Sequence, residues 1–400
     1  MAPSVSSLQY ESTSASQSRR SPKGGLTFRI RGVPLSWDKK QLQVYLEHQE
    51  PDSQPLVKSL ASEVDGYSKT ATVIFQSPLP AEKTSRPWNI SLPESDNHDD
   101  DLSVSALPLR VDGAFLGITT LFAPPVEDHG VDIVAVSGLG GHAYGSFKDK
   151  NGNYMWLQDA LPFDITDDDN HHPMARIMIY GHNSAVPRSN SVQDIDDLSS
   201  ALHSSLLSLV QAPQPKPIIL MGHSLGGLII KKALINLSKS PSQGDQTLFR
   251  AIYGIVFFGV PHGGMDIASL IPMVGDGPNR PLVESIGASS SILDDLEVNF
   301  HPSLGGQGEK EVTCFYETEQ SPTARQDEKG RWSMSGPPTI LVTESSAVHC
   351  RSWENDNIHI RPIARSHSDI VKFGPGDSYY KDVRDRLYGL VQRAMMLEAQ

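Results

Sequence analysis

One hexapeptide constrains this chain more than any other stretch: Gly222-His223-Ser224-Leu225-Gly226-Gly227, entered from the apolar run Pro217–Met221 and left through Leu228–Leu237. The first run reads as a buried strand and the second as a helix. A turn tight enough to join them leaves no room for side chains beside its apex. Gly222 and Gly226 meet that demand. The Ser224 hydroxyl is therefore expected at the carboxyl edge of a sheet, with a helix N-terminus beneath it. A serine hydroxyl is inert near neutral pH, so the turn acquires chemical meaning only with a base. In strand–turn–helix sites of this kind an acid and then a histidine follow the serine along the chain.

Five histidines follow Ser224: His262, His301, His349, His359 and His367. His262, in Val260-Pro261-His262-Gly263-Gly264, comes too early, and His301 falls in a long insertion. His367 lies after the last expected strand and before the last helix, where the base belongs, and is favoured over His359 and His349. The acid should end the preceding strand. Val312-Thr313-Cys314-Phe315-Tyr316-Glu317 offers Glu317, with Glu319 as near competitor and Glu344 as far one. Charge developing on a substrate oxygen needs donors. The amide of Leu225 is one candidate. Leu139, in Ser137-Gly138-Leu139-Gly140-Gly141-His142, is the other, with flanking glycines that let the backbone approach closely.

Strands alternate with helices from Val131 onward, the pattern of a mostly parallel sheet. Val131–Val136, Arg176–Tyr180, Pro217–Met221, Ile252–Val260, Val312–Tyr316 and Thr339–Val342 read as strands. Val192–Val210, Leu228–Leu237 and Tyr380–Met396 read as helices. Residues 265–311 form a long Gly/Pro/Ser-rich insertion, read as a lid whose apolar residues wall an acyl pocket or, equally, fill core. Ahead of this domain the grammar differs. Residues 1–25 are Ser-rich with almost no bulky apolar side chains and read as a disordered tail. Residues 26–106 read as a small α+β module ending in a Pro-rich, acidic linker, and 107–400 as the second domain. At the junction Leu107–Phe122 adds a strand, a turn at Asp112–Gly113 and another strand, so the order β-α-β-β…β suggests a ferredoxin-like sheet.

From about residue 107 to 396 the chain resembles the α/β-hydrolase superfamily, in the serine esterase/lipase-like branch of the serine-active-site-containing proteins and GPI inositol-deacylases. It is most similar to fungal hydrolase modules that precede nucleotide-binding and repeat domains. Val131–Phe147, Trp156–Pro162, Ile179–Ser184, Ile219–Leu234, Phe257–Gly264, Phe315–Thr318 and His367 with Lys372-Phe373 carry the resemblance together. It implies an α/β-hydrolase fold, a catalytic triad of Ser224, Glu317 and His367, and no metal or organic cofactor. It also implies lipid-like ester substrates and, for some relatives, association with mitochondrial or endoplasmic-reticulum membranes. Ser137 departs from the pattern, since many relatives have His there. The alternative function is a non-catalytic hydrolase-like adaptor or signalling module.

Composition bears on partners and setting. Of 400 residues 38% are hydrophobic, enough for a full core, and the net charge of −13 opposes general binding to nucleic acid or anionic lipid. Residues 1–43 hold seven Lys/Arg against Glu11 and Asp38, leaving +5 there and −18 elsewhere. No apolar run approaches the roughly 20 residues that span a bilayer, and the start lacks a secretory apolar core. Two cysteines, Cys314 and Cys350, make no disulfide scaffold, and the default setting is intracellular, cytoplasmic. The run Asp167–His172 offers metal-type side chains but, being contiguous, reads as a solvated acidic loop. Gly66–Phe75 loosely echoes an RNA-recognition strand. The stacking positions, however, hold Arg29, Thr70 and Thr72 instead of aromatic rings. The module is read as a packing or protein-interaction domain, with Arg29, Arg31, Lys39 and Lys40 as a candidate patch for an anionic partner.

Overall fold

The computed structural model describes residues 26–92, 107–167, 171–187, 189–211 and 214–398. The expected tail, most of the acidic linker and residues 168–170 of the acidic loop lie outside them.

A five-stranded antiparallel sheet comes first: β1 (Thr27–Val33), β2 (Pro55–Ser62), β3 (Lys69–Phe75), β4 (Trp88–Ile90) and β5 (Leu109–Asp112), in the order β2-β3-β1-β5-β4. β3 runs antiparallel between β1 and β2, which therefore run parallel to each other, and the helix Lys39–Gln49 makes the crossover. This is the split β-α-β unit of a ferredoxin-like sheet. Asp38 starts that helix with a reciprocal cap: its side chain accepts from Gln41 N at 2.7 Å while Gln41 returns the bond at 2.8 Å. Leu42 and Leu46, one turn apart, bury the helix against Ile30, Val57 and Val73.

The larger sheet holds seven strands: β6 (Gly117–Phe122), β7 (Val131–Val136), β8 (Ala175–Gly181), β9 (Ile218–His223), β10 (Ile252–Phe258), β11 (Glu311–Glu317) and, after a hairpin of β12 (Ser321–Gln326) and β13 (Trp332–Thr339), β14 (Ile360–Ile363). Its order is β14-β11-β10-β9-β7-β8-β6, parallel except for β6. Because successive side chains alternate, the central strands feed two cores. Val134, Val136 and Leu220 face the helices Ile195–Leu206, Leu225–Lys239 and Ser291–Ser303. Ile133, Ala135, Ile219 and Met221 face Trp156 and the closing helix Ser378–Glu398, through Val383, Leu387, Leu390 and Val391.

Three expectations change. The boundary set at residues 106 and 107 moves to residues 113–116, because β5 completes the small sheet while β6 joins the large one. Thr339–Val342 is not a core strand: Thr339 ends the hairpin, and the last parallel strand is β14. The insertion 265–311 divides. Leu293, Leu296 and Phe300 are core packing against Leu225–Lys239, whereas Ile267, Leu270, Ile271 and Met273 gather with Val186 and Leu139 into a separate apolar cluster.

The two sheets are joined by buried polar contacts. Arg29 reaches Asp112 Oδ2 through Nε and Nη2 at 3.0 and 2.9 Å, and Nη1 reaches Leu116 O and Thr119 Oγ1 at 2.9 and 2.8 Å. Thr72 Oγ1 donates to Gln158 Oε1 at 2.6 Å. Arg29, Thr70 and Thr72 are thus buried, Thr70 and Thr72 at no more than 1% exposure. The small sheet turns this face onto the larger domain. Two residues of the expected anionic-partner patch are drawn into this seam, Arg29 neutralising Asp112 and Arg31 donating to Ile118 O, whereas Lys39 and Lys40 are exposed.

Candidate active site

β9 runs directly into the helix Leu225–Lys239 through one residue, Ser224, with φ 53° and ψ −128°. A non-glycine residue held there is strained, and it persists only where its surroundings over-determine it. Here the neighbours do so. A Cβ on Gly222 would lie 2.5 Å from Gly227 Cα, and one on Gly226 would lie 2.5 Å from Val136 O. Ser224 N donates to Phe258 O at 3.0 Å, pinning the apex to β10.

His367 Nε2 lies 2.9 Å from Ser224 Oγ, and His367 Nδ1 lies 2.5 Å from Glu317 Oε2. Glu317 ends β11 and is 2% exposed; His367 follows β14, the neighbouring strand. The other carboxylate oxygen, Oε1, accepts from the amides of Leu341 and Val342, both at 3.1 Å. With the carboxylate so clamped, His367 carries its proton on Nδ1 and turns a lone pair toward the serine. The His367 backbone is held as well. Its N–H donates to Ser321 Oγ at 2.9 Å, and its carbonyl accepts from His223 Nε2 at 2.9 Å. Burial, reinforced by the nearby His367, pushes His223 down to about 3, so it is a neutral donor.

The loop after β7 closes the other side. A Cβ on Gly138 would sit 2.6 Å from Ser224 Cβ, so only a bare backbone fits against the nucleophile. Gly140 N donates to Ser184 O at 2.6 Å, and Ser184 Oγ donates to Gly141 O at 2.8 Å, tying the loop to the end of β8. His142 then clasps the loop to the β5–β6 turn. Its Nε2 donates to Gly113 O at 2.6 Å, its Nδ1 accepts from Gly145 N at 3.0 Å, and its ring meets Phe115 edge-on. Burial lowers its pKa, which keeps the imidazole neutral for these two roles.

Residues 164–271 match the family described as "Putative serine esterase (DUF676)". This span takes in the elbow and β10. Over this span the chain is similar to serine esterases. Among curated proteins, Protein SERAC1 of Danio rerio is 32% identical over 111 residues, covering 26% of this chain and 15% of that protein. Protein SERAC1 of Mus musculus is 26% identical over 152 residues, covering 34% of this chain and 22% of that protein. The chain thus spans under a quarter of the length of these relatives. Among solved structures, the mature lipase BlEst2 of Bacillus licheniformis aligns at TM-score 0.40 and 16% identity, over 66% of this chain and 94% of that one. The monoacylglycerol lipase of Paleococcus ferrophilus aligns at TM-score 0.36 and 13% identity, over 70% and 99%.

In the larger domain the other candidate side chains have different partners. Glu319 and Glu344 are exposed. His359 bonds Asp356 Oδ1 and pairs with Glu311, at the opposite end of β11 from Glu317. His262 and His349 turn Nδ1 toward the buried Lys231 amine, at 3.2 and 3.0 Å, and His301 stacks on His349. Among the described residues no cluster of His, Cys, Asp and Glu has the arrangement of a metal site, and no helix is long and apolar enough to cross a membrane. Sequence reasoning passed over His223, Ser321, the Leu341–Val342 amides and His142. His223 and His142 were signalled, each by its place in a glycine-rich motif.

Proposed function

We propose that the chain hydrolyses carboxylic esters of lipid-like character through an acyl-enzyme on Ser224. The observation that carries this reading is the unbroken path of hydrogen bonds from Glu317 through His367 to the strained Ser224. His367 Nε2 takes the hydroxyl proton as Oγ attacks the ester carbonyl, and Glu317 stabilises the imidazolium without accepting the proton. The amides of Leu225, at the helix N-terminus, and of Leu139, next to Gly138, are the donors for the developing oxyanion. His367 passes its proton to the leaving alcohol, then activates the water that frees the acyl group.

The lipid part of the reading rests on the apolar cluster of Ile267, Leu270, Ile271, Met273 and Val186, which packs against Leu139. An acyl chain bound there would start beside the oxyanion loop. The test is labelling with a fluorophosphonate probe in wild type and Ser224→Ala, alongside hydrolysis of p-nitrophenyl esters of increasing chain length. Labelling confined to wild type, with kcat/KM rising with chain length, is expected. No labelling of folded wild type, or equal labelling of the variant, would instead favour the adaptor reading.

A further inference from the structure

The sequence holds two cysteines, 36 positions apart, and the fold brings them into contact: Cys350 Sγ lies 3.4 Å from Cys314 Sγ. Both are free thiols. Neither is held loosely. Cys314 is fully buried in β11, between β10 and β14, and its N–H donates to His359 O at 2.7 Å. Cys350 is partly exposed, and the chain is anchored on either side of it. Before it, His349 Nδ1 lies 3.0 Å from Lys231 Nζ. After it, the buried Arg351 pairs with Glu354, whose Oε1 accepts from Val312 N at 2.9 Å. This segment is thereby tied to β11 two residues from Cys314. Segments so fixed keep the two sulfurs at a high effective concentration. A disulfide needs an S–S distance near 2.05 Å, so the sulfurs must close by roughly 1.4 Å, a shift that side-chain rotation can supply.

We propose that Cys314 and Cys350 are a modification site, a dithiol that a small-molecule disulfide converts to an intramolecular disulfide bond. The more exposed member reacts first. Cys350, its proton lost to solvent, attacks one sulfur of oxidised glutathione; the S–S bond of glutathione breaks and one reduced glutathione leaves. Cys314, its proton likewise lost, then attacks the Cys350 sulfur of this mixed disulfide and releases the second. Two protein thiols are oxidised and one glutathione disulfide is reduced to two thiols, so electrons and protons balance. The hydrogen bond to Cys314, together with burial, raises the Cys350 pKa, so little thiolate is present and exchange is slow. Position gives the bond its consequence. Cys314 lies three residues before Glu317 on β11, and Cys350 eight residues after Val342, whose amide holds Glu317. The bond staples the segment that clamps this carboxylate to the strand that bears it. It stands whether or not Ser224 hydrolyses esters.

The test is redox equilibration of the full chain in anaerobic mixtures of reduced and oxidised glutathione, both folded and unfolded in urea. Samples are quenched in acid, alkylated with N-ethylmaleimide and mapped by peptide mass spectrometry. One cross-linked peptide pair joining Cys314 to Cys350 is expected. In the folded chain the bond should be half-formed at a ratio of squared reduced to oxidised glutathione about tenfold or more above that required in urea. By the same linkage the oxidised chain should unfold at higher urea concentration than the reduced one. A ratio no higher in the folded chain would overturn the proposal, since the fold would then oppose the bond. So would two alkylated cysteines in wild type throughout, or cross-links joining two chains. Cys314→Ser should retain glutathione on Cys350, whereas Cys350→Ser should leave the buried Cys314 unmodified. The reverse pattern would refute Cys350 as the sulfur attacked from solvent.

Discussion

Replacing Glu317 by Gln changes one atom's identity, and the clamp around it dictates the consequence. Oε1 accepts from two buried amides, Leu341 and Val342, while Oε2 faces His367 Nδ1 at 2.5 Å. In Glu317→Gln the amide oxygen must stay on the two N–H donors. The flipped rotamer would set NH2 against both and orphan them, at about 1–3 kcal/mol each. The amide NH2 therefore points at His367 Nδ1, which must become an acceptor, and the ring proton moves to Nε2. An N–H then faces Ser224 Oγ, and the base has lost its lone pair. A change of this kind, geometry intact but tautomer wrong, lowers kcat about 10⁴-fold, or about 5 kcal/mol of barrier. The expected result is that loss in p-nitrophenyl ester hydrolysis and in fluorophosphonate labelling, with an unchanged melting temperature. Glu319→Gln and Glu344→Gln, both at exposed positions, should stay near wild type. A loss under about tenfold in Glu317→Gln, or an equal loss in Glu344→Gln, would refute the assignment of the acid.

The His142 clasp and the buried Lys231 carry two further expectations. His142→Phe keeps the ring packing on Phe115 but drops the bonds to Gly113 O and Gly145 N, so the oxyanion loop drifts. Because a misplacement near 1 Å can cost about a hundredfold, kcat should fall by roughly ten- to a hundredfold with KM little changed, and a KM effect alone would count against the clasp. Lys231 is fully buried, and burial lowers it from 10.5 to about 7. Between those values the unfolded chain binds the extra proton, so this group makes stability rise with pH, by up to about 1.4 kcal/mol per unit. Below pH 7 both states are protonated and its unfavourable contribution is constant, about 5 kcal/mol in all. Urea titrations at pH 7 and pH 9 should give a shallower pH slope for Lys231→Met than for wild type, and identical slopes would sink the reasoning.

The parts of the site that were legible in the chain are those written locally. The apolar strand, the glycine-flanked Ser224 and the apolar helix occupy about twenty consecutive residues, and their geometry follows from sterics within that stretch. The chain order of acid and base then favoured His367 over His359 and His349, and Glu317 with Glu319 and Glu344 as competitors; the structure brings His367 into hydrogen-bonding range of both Glu317 and Ser224. Thr339–Val342 shows where local reading fails. Its β-branched, apolar residues suit a strand, yet the amides of Leu341 and Val342 serve the Glu317 carboxylate instead of a ladder. That use depends on a residue some 24 positions away and has no local signature.

Sequence alone determined which alcohol is presented and the alternation that builds a mostly parallel sheet, because periodicity and steric exclusion act over a few residues. Tertiary structure alone decided that the small sheet helps hold the scaffold around Ser224. Arg29, Thr72 and the Gly113 carbonyl look like ordinary surface groups in the chain, and only folding sets them against Asp112, Gln158 and His142. Buried polar groups must find partners wherever the chain passes, and those partners lie 83, 86 and 29 residues away.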